Sequence, residues 1–368
     1  MSGRTARGLV PAVLGVLGVR AVRQAAARSG GGAAEEPDRV APDGVVRAFG
    51  FVPEGELDTV HDQPVTADEA ACLGAVGAGE WEAAADWVAG AGRDWEERRR
   101  RVGVLAGAAA RDGAWLAAWE ADRPGDVAAA LVVADAAVRA AWDVHGARGA
   151  ERLRHFRELL LAAQRAAYAA QEAADPGDPV PYVVEQRVGT GLGYPHARYE
   201  ELWGRITARA PRLLCAHTAA VEYWTARWRG SHELALGFAR RAADGARPGE
   251  LLRLLPLIAY FEDESGEQGL PDHYKRPEVV EAVDAALADL AAAAPGDRRT
   301  AALRHMLAWM LFWQDRDAEA VEQFRAVDGY VGALPWTRHA RPERRYAHAR
   351  DWAARVAGGR ESCAVPGR

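Results

Sequence analysis

The densest run of chemically capable side chains is Trp228-Arg229-Gly230-Ser231-His232-Glu233. A Gly-Ser turn that opens a helix leaves backbone N–H groups unpaired, and these attract an anion. An imidazole beside them could donate to that anion or act as a general acid or base. Trp and Arg are the residue types that most often anchor a partner. Part of the run also has a purely structural account: Ser231 is placed to cap the helix, and Glu233 falls in its first turn, where the dipole favours an acid. Trp228, Arg229 and His232 remain for binding. Glu222, on the preceding helix, joins the candidate set. Convergence of His217, Glu222 and His232 would make a metal site, but nothing in their spacing requires it, and His232-Glu233 is not followed by the second histidine of an H-E-x-x-H motif. His217 shares a helical stripe with Leu214, Val221, Trp224 and Trp228, the ordinary position of a satisfied core histidine. The candidate ligand or partner residues are therefore Trp228, Arg229, Ser231, His232, Glu233 and Glu222, with no catalytic residue, metal ligand or cofactor assigned.

Other motifs are weaker. Gly189, Gly191 and Gly193 lack the dinucleotide-binding spacing and follow no strand, so they read as a loop between helices. No phosphate-binding loop and no nucleophile elbow occurs. Asp272, His273, Tyr274 and Lys275 lie in a segment, 263–277, whose Gly, Pro and charges predict a long surface loop.

The elements that must position these residues are helices. Val127, Leu131, Ala134, Val138 and Ala141 recur at helical spacing, as do Leu153, Phe156, Leu160, Ala163, Ala167 and Ala170, and later Val279, Val283, Ala286 and Leu290. The run from Met306 to Trp313 is apolar all round, which suits a helix buried on most sides. Pro256 should kink or split the helix around it. Gly and Pro breakers recur at short intervals, so neighbouring helices run antiparallel. Four places share one grammar, a turn followed by a small residue: Gly79-Glu80-Trp81 with Ala84, Gly125-Asp126 with Ala130, Gly230-Ser231 with Ala235, and Asp315-Arg316 with Ala320. The expected fold is all-α, an irregular α-solenoid of antiparallel helix pairs. Its organisation is an N-terminal apolar helix and flexible linker over 1–65, one helical lobe over 66–175, a second over 176–358, and a tail over 359–368. Thr66 and Glu69 form a capping box that opens the first lobe.

The segment Trp224–Glu233, continued by Phe238-Ala239-Arg240-Arg241-Ala242, resembles a family of actinobacterial tetratricopeptide-like helical proteins. Pro248-Gly249, Leu255–Ala259 and the Gly79-Glu80-Trp81 unit fit the same resemblance. It covers roughly 66–330 and implies a helical-repeat fold; no established activity comes with it.

Composition bounds the function. Among 368 residues, 46 are basic and 52 acidic, with a net charge of −6, a balance that argues against nucleic-acid binding, which needs a concentrated basic face. Arg98 to Arg101 follow Glu96 and Glu97 and read as paired charges on a solvated helix face; Arg338, Arg341, Arg344, Arg345 and Arg350 read as a basic surface helix. Three cysteines, none in a C-x-x-C pair, fit a reducing compartment and a cytoplasmic location. The apolar run Gly8–Val19, flanked by arginines, is shorter than the roughly 20 residues a spanning helix takes; residues 1–28 could instead direct export or lie on a membrane surface. The expected function is an interaction module or adaptor that binds a protein or peptide in a concave helical groove. The alternative is a small-molecule or hydrolytic site centred on 217–233.

Overall fold

Every regular element is helical among the residues described by the computed structural model, which are 40–144, 150–264 and 270–363. The expectations for residues 1–39 fall outside them. In chain order the α-helices are α1 (Asp43–Ala48), α2 (Ala67–Gly77), α3 (Trp81–Ala89), α4 (Trp95–Ala109), α5 (Ala114–Asp122), α6 (Val127–Val144), α7 (Ala150–Ala173), α8 (Val180–Leu192) and α9 (His196–Thr207). They continue with α10 (Leu214–Tyr223), α11 (His232–Asp244), α12 (Leu254–Glu262), α13 (Leu270–Tyr274), α14 (Pro277–Ala291), α15 (Thr300–Trp313), α16 (Asp317–Ala326) and α17 (Pro342–Cys363). Asp58 and Tyr330 form an isolated parallel β-bridge. No described helix is long and apolar enough to cross a membrane.

Helices adjacent in sequence pack on one another: α2 on α3, α6 on α7, α7 on α8, α11 on α12, and α15 on α16. The stripes account for this. Leu131, Ala134, Val138 and Ala141 of α6 are fully buried, as are Leu160, Ala163, Ala167 and Ala170 of α7. A buried Leu or Val contributes about 1.5–3 kcal/mol, and alanines opposite let the two axes approach. The turn residues behave as expected at three of the four repeated units, where Ala84, Ala235 and Ala320 are buried. At the second, Asp126 accepts from Ala128 N and Ala129 N, and Ala129 rather than Ala130 takes the buried position. Thr66 caps α2 by accepting from Glu69 N at 3.4 Å. In α15, Met306 through Leu311 are all buried.

Two large apolar clusters result. One runs from Cys72 to Val188; the other gathers α12, α14, α15 and α16 with the start of the described chain. Two smaller clusters complete the core, one aliphatic and one aromatic, the latter with Tyr199 stacked on Tyr223 at 3.6 Å.

Four expectations are corrected. Pro256 does not kink its helix: α12 starts at Leu254, so the proline occupies the first turn, where a missing N–H costs nothing. Gly189 and Gly191 are inside α8 rather than in a loop; a Cβ on Gly191 would come within 2.6 Å of Leu160 Cδ1, so the glycine lets α7 and α8 close up. Gly193 alone is a turn residue, the left-handed C-cap at φ 66°. The last helix runs on to Cys363, past the boundary expected at 358.

The fourth correction concerns the linker. Residues 40–65 are not loose: they strap across the C-terminal helices. Val46 and Phe51 enter the second apolar cluster. Asp58 N donates to Gly329 O and Val331 N to Asp58 O, both at 2.8 Å. The anchor is Arg350, wholly buried, which donates to Val52 O at 2.7 Å, Asp328 at 3.0 Å and Asp351 at 3.0 Å. The same two carboxylates accept from the strap's Val52 N and Ala41 N. Composition hid this segment because its hold on the fold is backbone hydrogen bonding, which leaves no hydrophobic periodicity. Replacing Arg350 by Met strands Asp328 and Asp351 without their cation, so urea denaturation should show a loss of about 3–5 kcal/mol. A loss under roughly 1 kcal/mol, the scale of a surface pair, would mean that the cluster does not anchor the strap.

Candidate functional site

A cavity of about 830 Å³ opens between the two apolar clusters. That volume lies inside the roughly 300–1,000 Å³ range of small-ligand pockets. Helices α4, α6, α8 and α10 supply one side of its lining; α12, the 294–299 turn and Arg338 supply the other; the strap residues His61 to Gln63 close the rim. The strap is pinned there: Gln63 Nε2 donates to Arg298 O at 3.0 Å, and His305 Nε2 donates to Asp62 O at 2.9 Å. His305 is fully buried and takes a second hydrogen bond, from the Trp336 indole to its Nδ1 at 3.0 Å. Burial pulls its pKa down to about 4, so the ring is neutral.

The lining is charged rather than aromatic. Arg99 grips Asp135 through both terminal nitrogens, at 2.9 and 3.2 Å. Arg139, one turn along from Asp135 on α6, brings Nε to 3.5 Å from the same carboxylate. Arg187 of α8 adds a third guanidinium, over the Trp142 ring at 5.8 Å. Burial alone would raise the Asp135 carboxyl; the three guanidiniums more than offset it and hold its pKa below the usual range. Burial pulls Arg187 down to about 10 against that attraction.

The run Arg98–Arg101 is therefore not a solvated face. Its four side chains are nearly buried and all are paired: Arg98 meets Asp178, Arg99 meets Asp135, Arg100 meets Glu69 and Glu97, and Arg101 shares Glu97. Consecutive helical residues point about 100° apart, so four in a row cannot share one face. The C-terminal arginines divide in the same way. Arg350 is buried, Arg338 pairs with Glu262 at the cavity wall, Arg345 lies over the Trp309 ring at 5.2 Å, and Arg341 is exposed.

Glu96 ties α4 to α10. Its carboxylate accepts from Leu214 N and Cys215 N, capping α10, which has no side-chain cap of its own. Burial raises the Glu96 pKa; contacts with Cys215 and Arg299 oppose the rise. Burial also pushes Glu222 and Glu262 up to about 7, against the pull of nearby arginines, Arg187 and Arg227 for Glu222 and Arg227 for Glu262. The Trp228 indole lies beside the Glu222 carboxyl and favours its ionised form.

Of the six candidate residues, only Glu222 lines the cavity, with Trp228 touching it from behind. The Trp228 ring packs edge-on against Trp142 at 5.1 Å, in the first apolar cluster. Ser231 is the N-cap of α11, accepting from Leu234 N at 3.2 Å, and Glu233 is exposed in the first turn. Arg229 turns to Gly193 O at 2.7 Å. His232 points to Asp263, with Nδ1 3.4 Å from the carboxylate. His217 donates to Leu213 O at 2.9 Å and packs edge-on against Trp203 at 4.8 Å, away from Glu222. The three residues weighed as a metal site thus do not converge, and no described group of three or more His, Cys, Asp or Glu is arranged for a metal. Of the 272–275 group, Tyr274 is buried beneath Trp309 and His273 donates to Tyr260 O at 2.8 Å; Lys275 pairs with Asp315 at the surface. A second, shallower cleft of about 500 Å³ lies over Tyr199, Trp203, Trp224 and Phe238.

Sequence reasoning missed Arg99, Asp135, Arg139 and Arg187. A legible signal existed: Asp135 and Arg139 are spaced i,i+4 inside the otherwise apolar stretch Val127–Trp142. No protein-family model, curated protein or solved structure matches this chain.

Glu222 sets a pH dependence. Its folded pKa, about 7, lies above the unfolded value near 4.3, so the folded state binds more protons between those values. Its contribution is therefore full below about pH 4 and is lost as pH rises through 7. Urea titrations at pH 5 and pH 8 should show wild type losing about 1–2 kcal/mol relative to Glu222→Gln. Parallel behaviour of the two proteins would place Glu222 in ordinary solvent.

Proposed function

We propose that this chain is a ligand-binding protein, an irregular α-solenoid of tetratricopeptide-like helix pairs whose concave side closes around a small polar molecule. The observation that carries the reading is the 830 Å³ charged cavity, walled by both groups of helices and rimmed by the strap. A long, shallow groove with exposed Trp and Arg anchors would favour an adaptor; here the guanidiniums face inward. Asp135 and Glu97 hold several of them in place, a fixed polar lining of the kind that gives small-molecule sites their specificity. Binding fits better than hydrolysis through a thiolate, because the Cys215 thiol on the wall is held well above the usual thiol pKa by burial and by Glu96. Free Cys72 and Cys215 fit a cytoplasmic setting for this function.

One observation favours the adaptor as a second reading. The outer cleft exposes parts of Trp203 and Trp224 beside Arg212 and Arg241, a combination that protein partners use.

Mass spectrometry of small molecules released from the natively purified protein tests the first reading. Wild type should carry a ligand that Ala219→Trp, which fills the cavity from α10, has lost while its circular dichroism is unchanged. Equal ligand content in both proteins would sink the cavity reading. So would a ligand-free wild type that instead loses a defined peptide partner on Trp203→Ala.

A further inference from the structure

The floor of the cavity carries more positive charge than its own carboxylate uses. Arg99 alone occupies both oxygens of Asp135. The Arg139 Nε, buried, stands 3.5 Å from the same carboxylate, an ion pair too long for a good hydrogen bond. Leaving a buried guanidinium donor unmatched is costly, so such an atom marks a place where an acceptor belongs.

The backbone makes room for these guanidiniums. Gly103 of α4 lies under the two guanidiniums; a Cβ there would come 3.2 Å from Arg99 Nη1 and 3.4 Å from Arg139 Nη2. Arg99, Gly103, Arg139 and Arg187 all line the cavity, whereas Asp135 is buried behind them. A molecule that reaches this part of the wall therefore meets the guanidiniums before Asp135. Two further acids act on the cluster: exposed Asp143 on α6, toward Arg139, and Glu222 on the facing wall, toward Arg187. Burial pushes Glu222 up to about 7, so at neutral pH it cancels only part of a charge.

We propose that Arg99, Arg139 and Arg187 form an oxyanion subsite that takes a carboxylate or phosphate group of the bound molecule. The proposal rests on the cavity being a binding site and adds the chemical class of its ligand. Guanidiniums recognise planar or tetrahedral oxyanions through paired N–H donors, and a partly dry site strengthens each such bond. An anion seated here shares the guanidiniums with Asp135 and gives Arg139 a closer acceptor than that carboxylate.

Calorimetric titration of the whole chain at low salt tests this, with inorganic phosphate and succinate as separate probes. At least one should bind saturably, and Arg139→Gln should weaken it roughly tenfold or more. Preference between the probes identifies phosphate or carboxylate as the group recognised. Saturation by neither anion would overturn the proposal, as would equal affinity in Arg139→Gln. If that variant fails to fold, the arginine Nε–H NMR signals of wild type replace it, with the Arg139 signal assigned through Arg139→Lys. That signal should move and saturate with the anion, and an unmoved signal is the overturning result. A ligand displaced by Ala219→Trp yet held equally by Arg139→Gln would remove the subsite and leave the cavity reading intact.

Discussion

A carboxylate with no access to water stays ionised only if cations come to it, and Asp135 is that carboxylate. Its two oxygens draw Arg99 from α4, Arg139 from its own helix α6, and Arg187 from α8. Because a guanidinium has fixed geometry, this contact specifies how the three helices are set relative to one another, which apolar stripes leave loose. Alanine-rich surfaces such as α6 against α7 can slide by a turn at little loss of buried area. A bidentate pair at 2.9 and 3.2 Å cannot. The cost is concentrated charge, and the fold resolves it by facing the surplus into a cavity rather than into hydrocarbon.

Enclosing that cavity requires the two ends of the described chain to meet. The strap over 40–65 crosses to the C-terminal helices, held by Arg350 and by the short backbone pairing at Asp58. On the opposite wall Glu96 reaches from α4 to the N-terminus of α10, where the helix dipole welcomes an acid. Both ties are polar and both join segments far apart in sequence. The apolar clusters build the two halves of the molecule, and charge pairs set the space between them.

This division of labour decides what the sequence could reveal. Stripes such as Leu131, Ala134 and Val138, and caps such as Thr66 and Ser231, are local, so the helices and several of their starts were legible. The strap was not, because its partners, Asp328, Gly329 and Asp351, lie at the far end of the described chain and follow no period. The site was half legible. Glu222 was found, but the neighbouring run Trp228–Glu233 drew attention through residue types that the turn itself consumes: Ser231 as a cap, Arg229 on Gly193 O, Trp228 against Trp142. Arg99 to Arg101, which face the cavity, looked like surface charge. Only their direction around the helix, and the presence of Asp135 in an apolar stripe, distinguished them from it.

That confusion has a physical source. In sequence, an arginine paired across a solvated helix face and one paired across a cavity floor look alike, since both show acids three or four residues away. The difference lies in whether the intrahelical acid exhausts the donors. Glu97 can satisfy parts of Arg100 and Arg101, yet each also turns outward to another element, Arg100 to Glu69 on α2 and Arg101 to the Trp87 carbonyl on α3. Arg99 has no acid on its own helix within bonding range and must cross to α6. A helix that carries more guanidiniums than its own acids can engage is committed to long-range partners. On a chain whose other surfaces are alanine-rich, those commitments set where the walls of the cavity stand.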